Sequence, residues 1–252
     1  MTNANQIAVL DHGFVKLRNL AGPTRRVFND PMKGELMCMR PFDADDTDVA
    51  NAARLSFEGQ DQDRTYDAEM KLARYLLANH HDTPFEAIQV WLEFKLPIFV
   101  ARQLVRQRTQ SINEASARYI TLPQEWYIPD MEHVGGKAAN KKQGQEDNLD
   151  DVTKGWFRQA LNTDCDNGYR LYLLALERGV APELARMFLH VNHYTHWMTS
   201  MNLRNLLGSF LRLRDHSHAQ YEAQVYARAT VQLLEPHLPG LMGLYAELVR
   251  QP

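Results

Sequence analysis

The run IQVWLEFKLPIFVARQLVRQR, residues 88–108, changes its periodicity at one proline, and that change constrains the fold more than any other feature. The first half, IQVWLEFKL, alternates apolar and polar side chains as a strand with one buried face does. Pro97 suits the first position of a helix. PIFVARQLVRQR then places Arg102, Gln103 and Arg106 three to four residues apart on one helical face, with Phe99, Val100 and Leu104 packing elsewhere.

Other segments follow the same rules. DDTDVANAARLSF (45–57) is expected as a helix opened by acids that suit its N-terminal dipole. DAEMKLARYLLANH (67–80) is expected as a second helix, with Met70, Ala73, Leu76 and Leu77 on one side. Thr83-Pro84-Phe85-Glu86 reads as a capping box with proline at the first helical position. The first ~40 residues mix Gly, Pro and short apolar pieces, expected as strands or an arm. ARYITLP is expected as a strand. MEHVGGKAANKKQGQEDNLDDV (131–152) is polar and rich in Gly, Lys and Asp, which predicts a mobile surface insertion rather than core.

The remainder reads as helical. TKGWFRQALNTDCDNGYRLYLLALERG stops at Gly179, a natural C′ residue. APELARMFLHVNHYTHWMTS and NLRNLLGSFLRLR follow, and HAQYEAQVYARATVQLLEPH is opened by a Ser217-x-x-Gln220 capping box. There are no repeats. Helices outnumber strands, and the strands are short and meander-like. The predicted class is therefore α+β, one domain over 1–252, with a small antiparallel sheet packed against several long helices and a helix-rich C-terminal half.

Bulk properties exclude several functions. The 252 residues are 44% hydrophobic and 23% charged, with a formal net charge of −3. That balance argues against a protein that holds a nucleic acid polymer mainly by charge. The two cysteines, Cys38 and Cys165, lie far apart and form no C-x-x-C pair, which fits a reduced, cytoplasmic chain. The N-terminus lacks a basic region followed by a long apolar one, and no apolar stretch approaches ~18 residues, so neither a signal peptide nor a membrane span is expected.

Three polar clusters compete as sites. In VRQRTQSINEASARYI (105–120), Arg106 and Arg108 point to opposite sides of a helix and serve one ligand only if the helix ends there. The following TQSINEAS supplies turn formers, hydroxyls on Ser111 and Ser116, and Glu114. Such groups suit a phosphate and a planar, amide-edged ring, although a solvated helix end explains them as well. In NLRNLLGSFLRLRDHSHAQ (202–220), most arginines read as snorkelling over a core. Arg214 is harder to dismiss, because it lies where one helix stops and another begins. The histidines His80, His81, His190, His193 and His196 lack the i, i+4 spacing with an acid that zinc sites on helices use, so no metal is expected. No G-x-G-x-x-G, Walker loop, G-x-S-x-G or Cys–His pair is present. An enzyme built this way works through positioning, electrostatics and a cofactor.

RQRTQSINEASARY closely resembles the signature of the flavin-dependent thymidylate synthases, in which two arginines flank a histidine and a serine follows seven residues later. Arg106, Arg108, Ser111, Asn113, Glu114, Ser116, Arg118 and Tyr119 fit that pattern. NAARLSF, HDTPFEAIQVWLEFKL, ELARMFLHVNHYTHWMTSMNLRNLL and LRLRDHSHAQYEAQVYA resemble other parts of the family in order, over roughly residues 35–240. The resemblance implies a homotetramer with sites shared between subunits and bound FAD. It implies methylation of dUMP to dTMP, with methylenetetrahydrofolate as carbon donor and NADPH as reductant. It assigns Gln103, Arg106, Glu114, Ser116, Arg118, Arg186 and Arg214 to dUMP. Thr83, Arg106, Arg108, Glu114, Asn202 and Arg204 go to FAD, with His81 and His218 as further candidates. Arg214 and Ser116 would act in catalysis, Arg214 by stabilising the anionic pyrimidine ring and Ser116 by hydrogen bonding at the nucleotide.

Two departures from the pattern stand out. Gln107 replaces the usual histidine between the arginines. NLRNLLGSFLRLR is one residue longer than usual between its Asn and its last Arg, and one extra residue turns a helix by ~100°. Gly208-Ser209 must therefore form a bulge or loop if both ends keep their roles. These departures motivate a rival reading, a nucleotide- or flavin-binding homologue without turnover that serves as a sensor or assembly partner. A metal-dependent hydrolase ranks third.

Overall fold

The computed structural model describes residues 5–23, 44–57, 64–107, 109–139 and 144–250. Cys38, Arg108, the rest of the N-terminal arm and the Lys141-Lys142 part of the polar insertion lie outside the described residues.

The alternating stretch becomes the middle of a sheet. β1 (Gln6–Val9) and β2 (Gly13–Ala21) form a hairpin, and β2 pairs with β3 (Gln89–Pro97). Two more strands, β4 (Ser111–Glu114) and β7 (Tyr194–Asn202), complete it. The spatial order is β1-β2-β3-β7-β4 and every pair is antiparallel. Val90, Leu92, Phe94 and Leu96 are fully buried on one face of β3. Gln89, Trp91, Glu93 and Lys95 alternate with them and are half-buried, as a pleated strand with period two requires. Pro97 then opens α3 (Ile98–Leu104).

Helices cover the sheet's buried face. These are α1 (Asp48–Arg54), α2 (Tyr66–Ala78), α7 (Tyr221–Leu234) and α8 (Pro239–Leu248). Phe94 meets Trp197, Phe210 and Tyr226 in one aromatic cluster. The Tyr226 hydroxyl reaches through to donate to the Lys95 carbonyl at 2.8 Å. A Cβ on Gly13 would fall 2.1 Å from that hydroxyl, so the turn between β1 and β2 has room only for glycine. Buried Asp46 accepts the backbone N–H groups of Gly240 and Leu241, both at 2.8 Å, at the start of α8. It also accepts the Tyr66 hydroxyl at 2.6 Å, which pushes that phenol up to about 12. Arg54 of α1 and Glu69 of α2 form an ion pair that is largely out of solvent.

α4 (Asp151–Glu177) is the long predicted helix. Asp150 caps its N-terminus by accepting the Thr153 N–H at 2.7 Å, and Gly179 ends the turn at φ +79°. Among the described residues no helix is long and apolar enough to cross a membrane.

Several expectations need correction. APELARMFLHVNHYTHWMTS is not a helix: α5 (Pro182–Ala185) and one 3₁₀ turn lead into β7. Trp197, Thr199 and Met201 point inward while His196 and Met198 face out, so strand periodicity prevails over helical spacing. ARYITLP forms turns rather than a strand, and β4 lies just before it. Neither predicted capping box forms. Thr83 sits inside a 3₁₀ turn (Thr83–Ala87) preceded by Asp82, and α7 starts at Tyr221 after Gln220 without a side-chain cap. The polar insertion is not structureless, since β5 (Gly136–Lys137) pairs with β6 (Gln145–Glu146). The extra residue near Gly208-Ser209 is absorbed as expected: α6 (Leu203–Asn205) runs into a π-helical segment, Leu206–Leu211.

Candidate active site

α3 stops at Leu104, so the chain turns before its basic residues, as two arginines serving one ligand demand. Gln110 pins that turn. Its amide nitrogen donates to the carbonyls of Leu104 and Gln107 at 2.8 and 3.1 Å, and its oxygen accepts the Thr199 hydroxyl of β7 at 2.9 Å. Gln107 is buried beside it. The Gln107 amide donates to the Thr109 hydroxyl at 3.0 Å and accepts the Ser209 hydroxyl at 2.6 Å.

Gln103 and Arg106 at the end of α3 line a cavity of about 970 Å³ with Arg214 and His218. The start of α7 forms the opposite wall, including Gln220, whose amide bonds that of Gln103. Gly144 and Gln145 of the hairpin form a further part, so the insertion borders the cavity instead of merely decorating the surface. Arg214 is buried. Its guanidinium donates to the carbonyls of Phe210 and Gln103 at 2.9 and 2.8 Å and lies 4.9 Å from the Phe210 ring centre. No carboxylate pairs with it among the described residues. Burial alone pulls its pKa down to about 10, which leaves it cationic at neutral pH. Glu222 is the one carboxylate among the cavity's described lining residues, and it is held by Tyr127 and Gln220 at 3.2 and 2.8 Å. Two guanidinium groups, two imidazoles and several amides facing one cavity are a donor set for an anion.

The other predicted residues lie outside this cavity. His81, Thr83, Asn202 and Arg204 belong to a second group, where the 3₁₀ turn Thr83–Ala87 packs on α6. There Asn202 caps α6 by accepting the Asn205 N–H at 2.9 Å, and Arg204 donates to Asp82 at 3.1 Å. Glu114 ends β4 and accepts the Thr195 hydroxyl. Ser116 accepts the N–H and the Nε of Arg118 at 3.3 and 3.4 Å, and Arg118 lies over the Tyr119 ring. Arg186 is exposed in the turn after α5, bonded to the Glu183 carbonyl at 3.3 Å. A single chain thus presents three separate pieces. Sequence reasoning missed Gln145, Gln220 and Glu222 on the cavity wall, because only the fold brings the hairpin and α7 to α3.

The histidines carry no metal cluster among the described residues. His190 pairs with Asp164 at 2.8 Å and His196 with Glu93 at 2.6 Å. His193 is buried, stacked on Tyr169, and its Nε2 has no partner. Burial lowers its pKa to about 4. The unfolded chain takes up this proton near 6.5 while the folded protein resists until about 4, so the stability His193 contributes is complete above 6.5 and lost as pH falls toward 4. Urea unfolding of the wild type is therefore expected to lose about 2–3 kcal/mol more between pH 7 and 4.5 than that of His193→Gln. Equal losses would remove this account of its burial.

Comparison with known proteins points one way. Residues 39–240 match the thymidylate synthase complementing protein family. The chain is 36% identical over 239 residues to a flavin-dependent thymidylate synthase of Ehrlichia ruminantium (strain Gardel), covering 95% of this chain and 72% of that protein. It is 37% identical over 242 residues to a flavin-dependent thymidylate synthase of Gluconobacter oxydans (strain 621H), with the same coverage of 95% and 72%. Among solved structures, a UMP/dUMP methylase from Streptomyces cacaoi bound with 5-Br dUMP matches at TM-score 0.77 and 25% identity, over 98% of this chain and 100% of that one.

Proposed function

The chain belongs to the thymidylate synthase complementing protein family, the flavin-dependent thymidylate synthases, and from that membership we propose how its residues divide the work. The enzyme methylates dUMP to dTMP with FAD as its cofactor. The observation that carries the reading is Arg214, a buried guanidinium without a carboxylate partner, facing a cavity beside Arg106.

dUMP brings a phosphate dianion and a uracil that gains negative charge as C5 becomes nucleophilic. Arg106 and Gln103 hold the nucleotide at the mouth of the cavity. Arg214 stabilises the charge that develops on the ring's N3 and oxygen. Its two bonds to backbone carbonyls fix the guanidinium before substrate arrives, so little reorganisation is left for the reaction itself. It does not act as a base, because it stays protonated at neutral pH. No covalent protein nucleophile takes part. Bound FAD supplies the reducing equivalents, which originate in NADPH, while methylenetetrahydrofolate supplies the carbon.

The residues fit FAD in their chemistry. His81, Thr83, Asn202 and Arg204 form a cluster of donors that suits a diphosphate, and His218 adds an imidazole from the cavity side. Arg108 joins them by its place in the signature. Glu114, Ser116, Arg118 and Arg186 complete the dUMP site from a neighbouring copy in a homotetramer, with Ser116 hydrogen-bonding the nucleotide. Their distance from the cavity of their own chain supports this, as does the exposed apolar face of α4, where Trp156 is 67% exposed and Val152 83%. The whole chain acts as one domain, on a small-molecule substrate rather than a nucleic acid polymer.

The test is tritium release from C5-labelled dUMP in the presence of FAD, NADPH and methylenetetrahydrofolate. Release that depends on both flavin and folate is expected. Failure of the purified protein to bind either dUMP or FAD would overturn the assignment, and tight binding without release would replace it with the sensor reading.

A further inference from the structure

The two departures from the family's pattern touch each other. Gln107, standing where the pattern has histidine, and Ser209, beside the extra residue of the π-helical segment, lie 102 positions apart in sequence and share a hydrogen bond of 2.6 Å. Gln107 is only 8% exposed, and its amide is occupied at both ends, by Ser209 and by Thr109. A buried amide with both ends satisfied has one orientation open to it.

The position of this bond matters more than its strength. The π-helical segment begins just after Asn202 and Arg204, in the proposed flavin group, and ends just before Arg214, in the nucleotide cavity. Gln107 grips its middle from the signature turn, one residue beyond Arg106. We propose that the Gln107–Ser209 hydrogen bond is a positioning contact that fixes the span between the nucleotide end and the flavin end of the site. On this view the amide takes over alignment in a chain whose helix carries an extra residue, and the two departures compensate one another. The inference rests on the function proposed above. Neither residue is assigned a contact with substrate or cofactor.

The bond can be tested with Gln107→Ala, Ser209→Ala, their combination, and Ser209→Thr, which keeps the hydroxyl. A buried hydrogen bond is worth about 1 kcal/mol, and displacement of reacting groups can cost far more, so each alanine variant is expected to lower kcat about tenfold. The double variant should be no worse than either single one, because both remove the same contact. KM for dUMP and the Kd of FAD, measured separately by titration, should stay within about threefold of wild type. Addition of dUMP to the FAD-loaded protein should perturb the flavin absorbance less in Ser209→Ala than in wild type, and Ser209→Thr should restore both kcat and the perturbation. A merely structural bond would shift the melting temperature and leave the dUMP-induced flavin perturbation intact, which would overturn the proposal. Losses that multiply in the double variant would also overturn it. Should Gln107→Ala fail to fold, the Ser209 pair decides, and equal activity of the alanine and threonine variants counts against the contact. A wild type that binds neither FAD nor dUMP sinks the function and this inference together, whereas an active wild type with indifferent variants sinks this inference alone.

Discussion

Arg214→Gln is expected to lower kcat/KM for tritium release from dUMP by about 10³-fold while leaving the melting temperature unchanged or higher. The two signs have one cause. The guanidinium is buried, has no carboxylate partner among the described residues and has a pKa lowered by burial, so the folded protein carries an uncompensated desolvation cost. That cost is offset when an anionic ring or phosphate arrives, which is when the residue is needed. Glutamine keeps a donor for the Phe210 or Gln103 carbonyl but removes the charge. Arg214→Lys keeps the charge without the planar fork and should fall between the two. Thermal melts beside steady-state assays check both halves. Activity within tenfold of wild type would show that the charge is not used in the transition state.

The second large effect concerns stability. Arg54→Ala is expected to destabilise the fold by about 3–5 kcal/mol, because Glu69 would be left charged and largely buried without its partner. Urea denaturation measures the loss directly. The paired replacement Arg54→Met with Glu69→Met should recover most of it, since two apolar side chains of similar length avoid the desolvation that the ion pair must overcome. A loss under 1 kcal/mol for Arg54→Ala would mean that water reaches Glu69. Arg54 stands in NAARLSF, one of the family-like segments, and the structure gives it a packing role between α1 and α2.

The parts of the fold legible in sequence were those whose signals did not compete. Pro97 separates a strand period from a helical one, so β3 and α3 could be read to within a residue or two. β7 was read as a helix because Leu184, Met187, Phe188 and Val191 recur at helical spacing just before it. The alternation of Tyr194–Asn202 shows only once that prefix is set aside. β4 gave no signal because all four residues of this edge strand are exposed, leaving no buried face to impose alternation. The site followed the same logic. Gln103 and Arg106 share a helical face and so could be paired from spacing alone. The bond from Gln107 to Ser209, and the approach of Gln145 and Gln220 to the cavity, depend on tertiary contacts that no local pattern encodes.

The π-helical segment also bears on how such a chain can change over generations. A residue inserted into a regular helix would swing everything downstream by ~100° and carry Arg214 out of its cavity. Here the surplus is taken up within one widened turn, so Asn202 and Arg204 on one side and Arg214 on the other keep their places. Chain length at this point is thereby uncoupled from the geometry of the two flanking sites, and an insertion there is tolerated as a local event. The order of mutations then matters. A glutamine at 107 meets its hydroxyl partner only once the widened turn presents Ser209, so the insertion is the permissive step and the loss of histidine follows it.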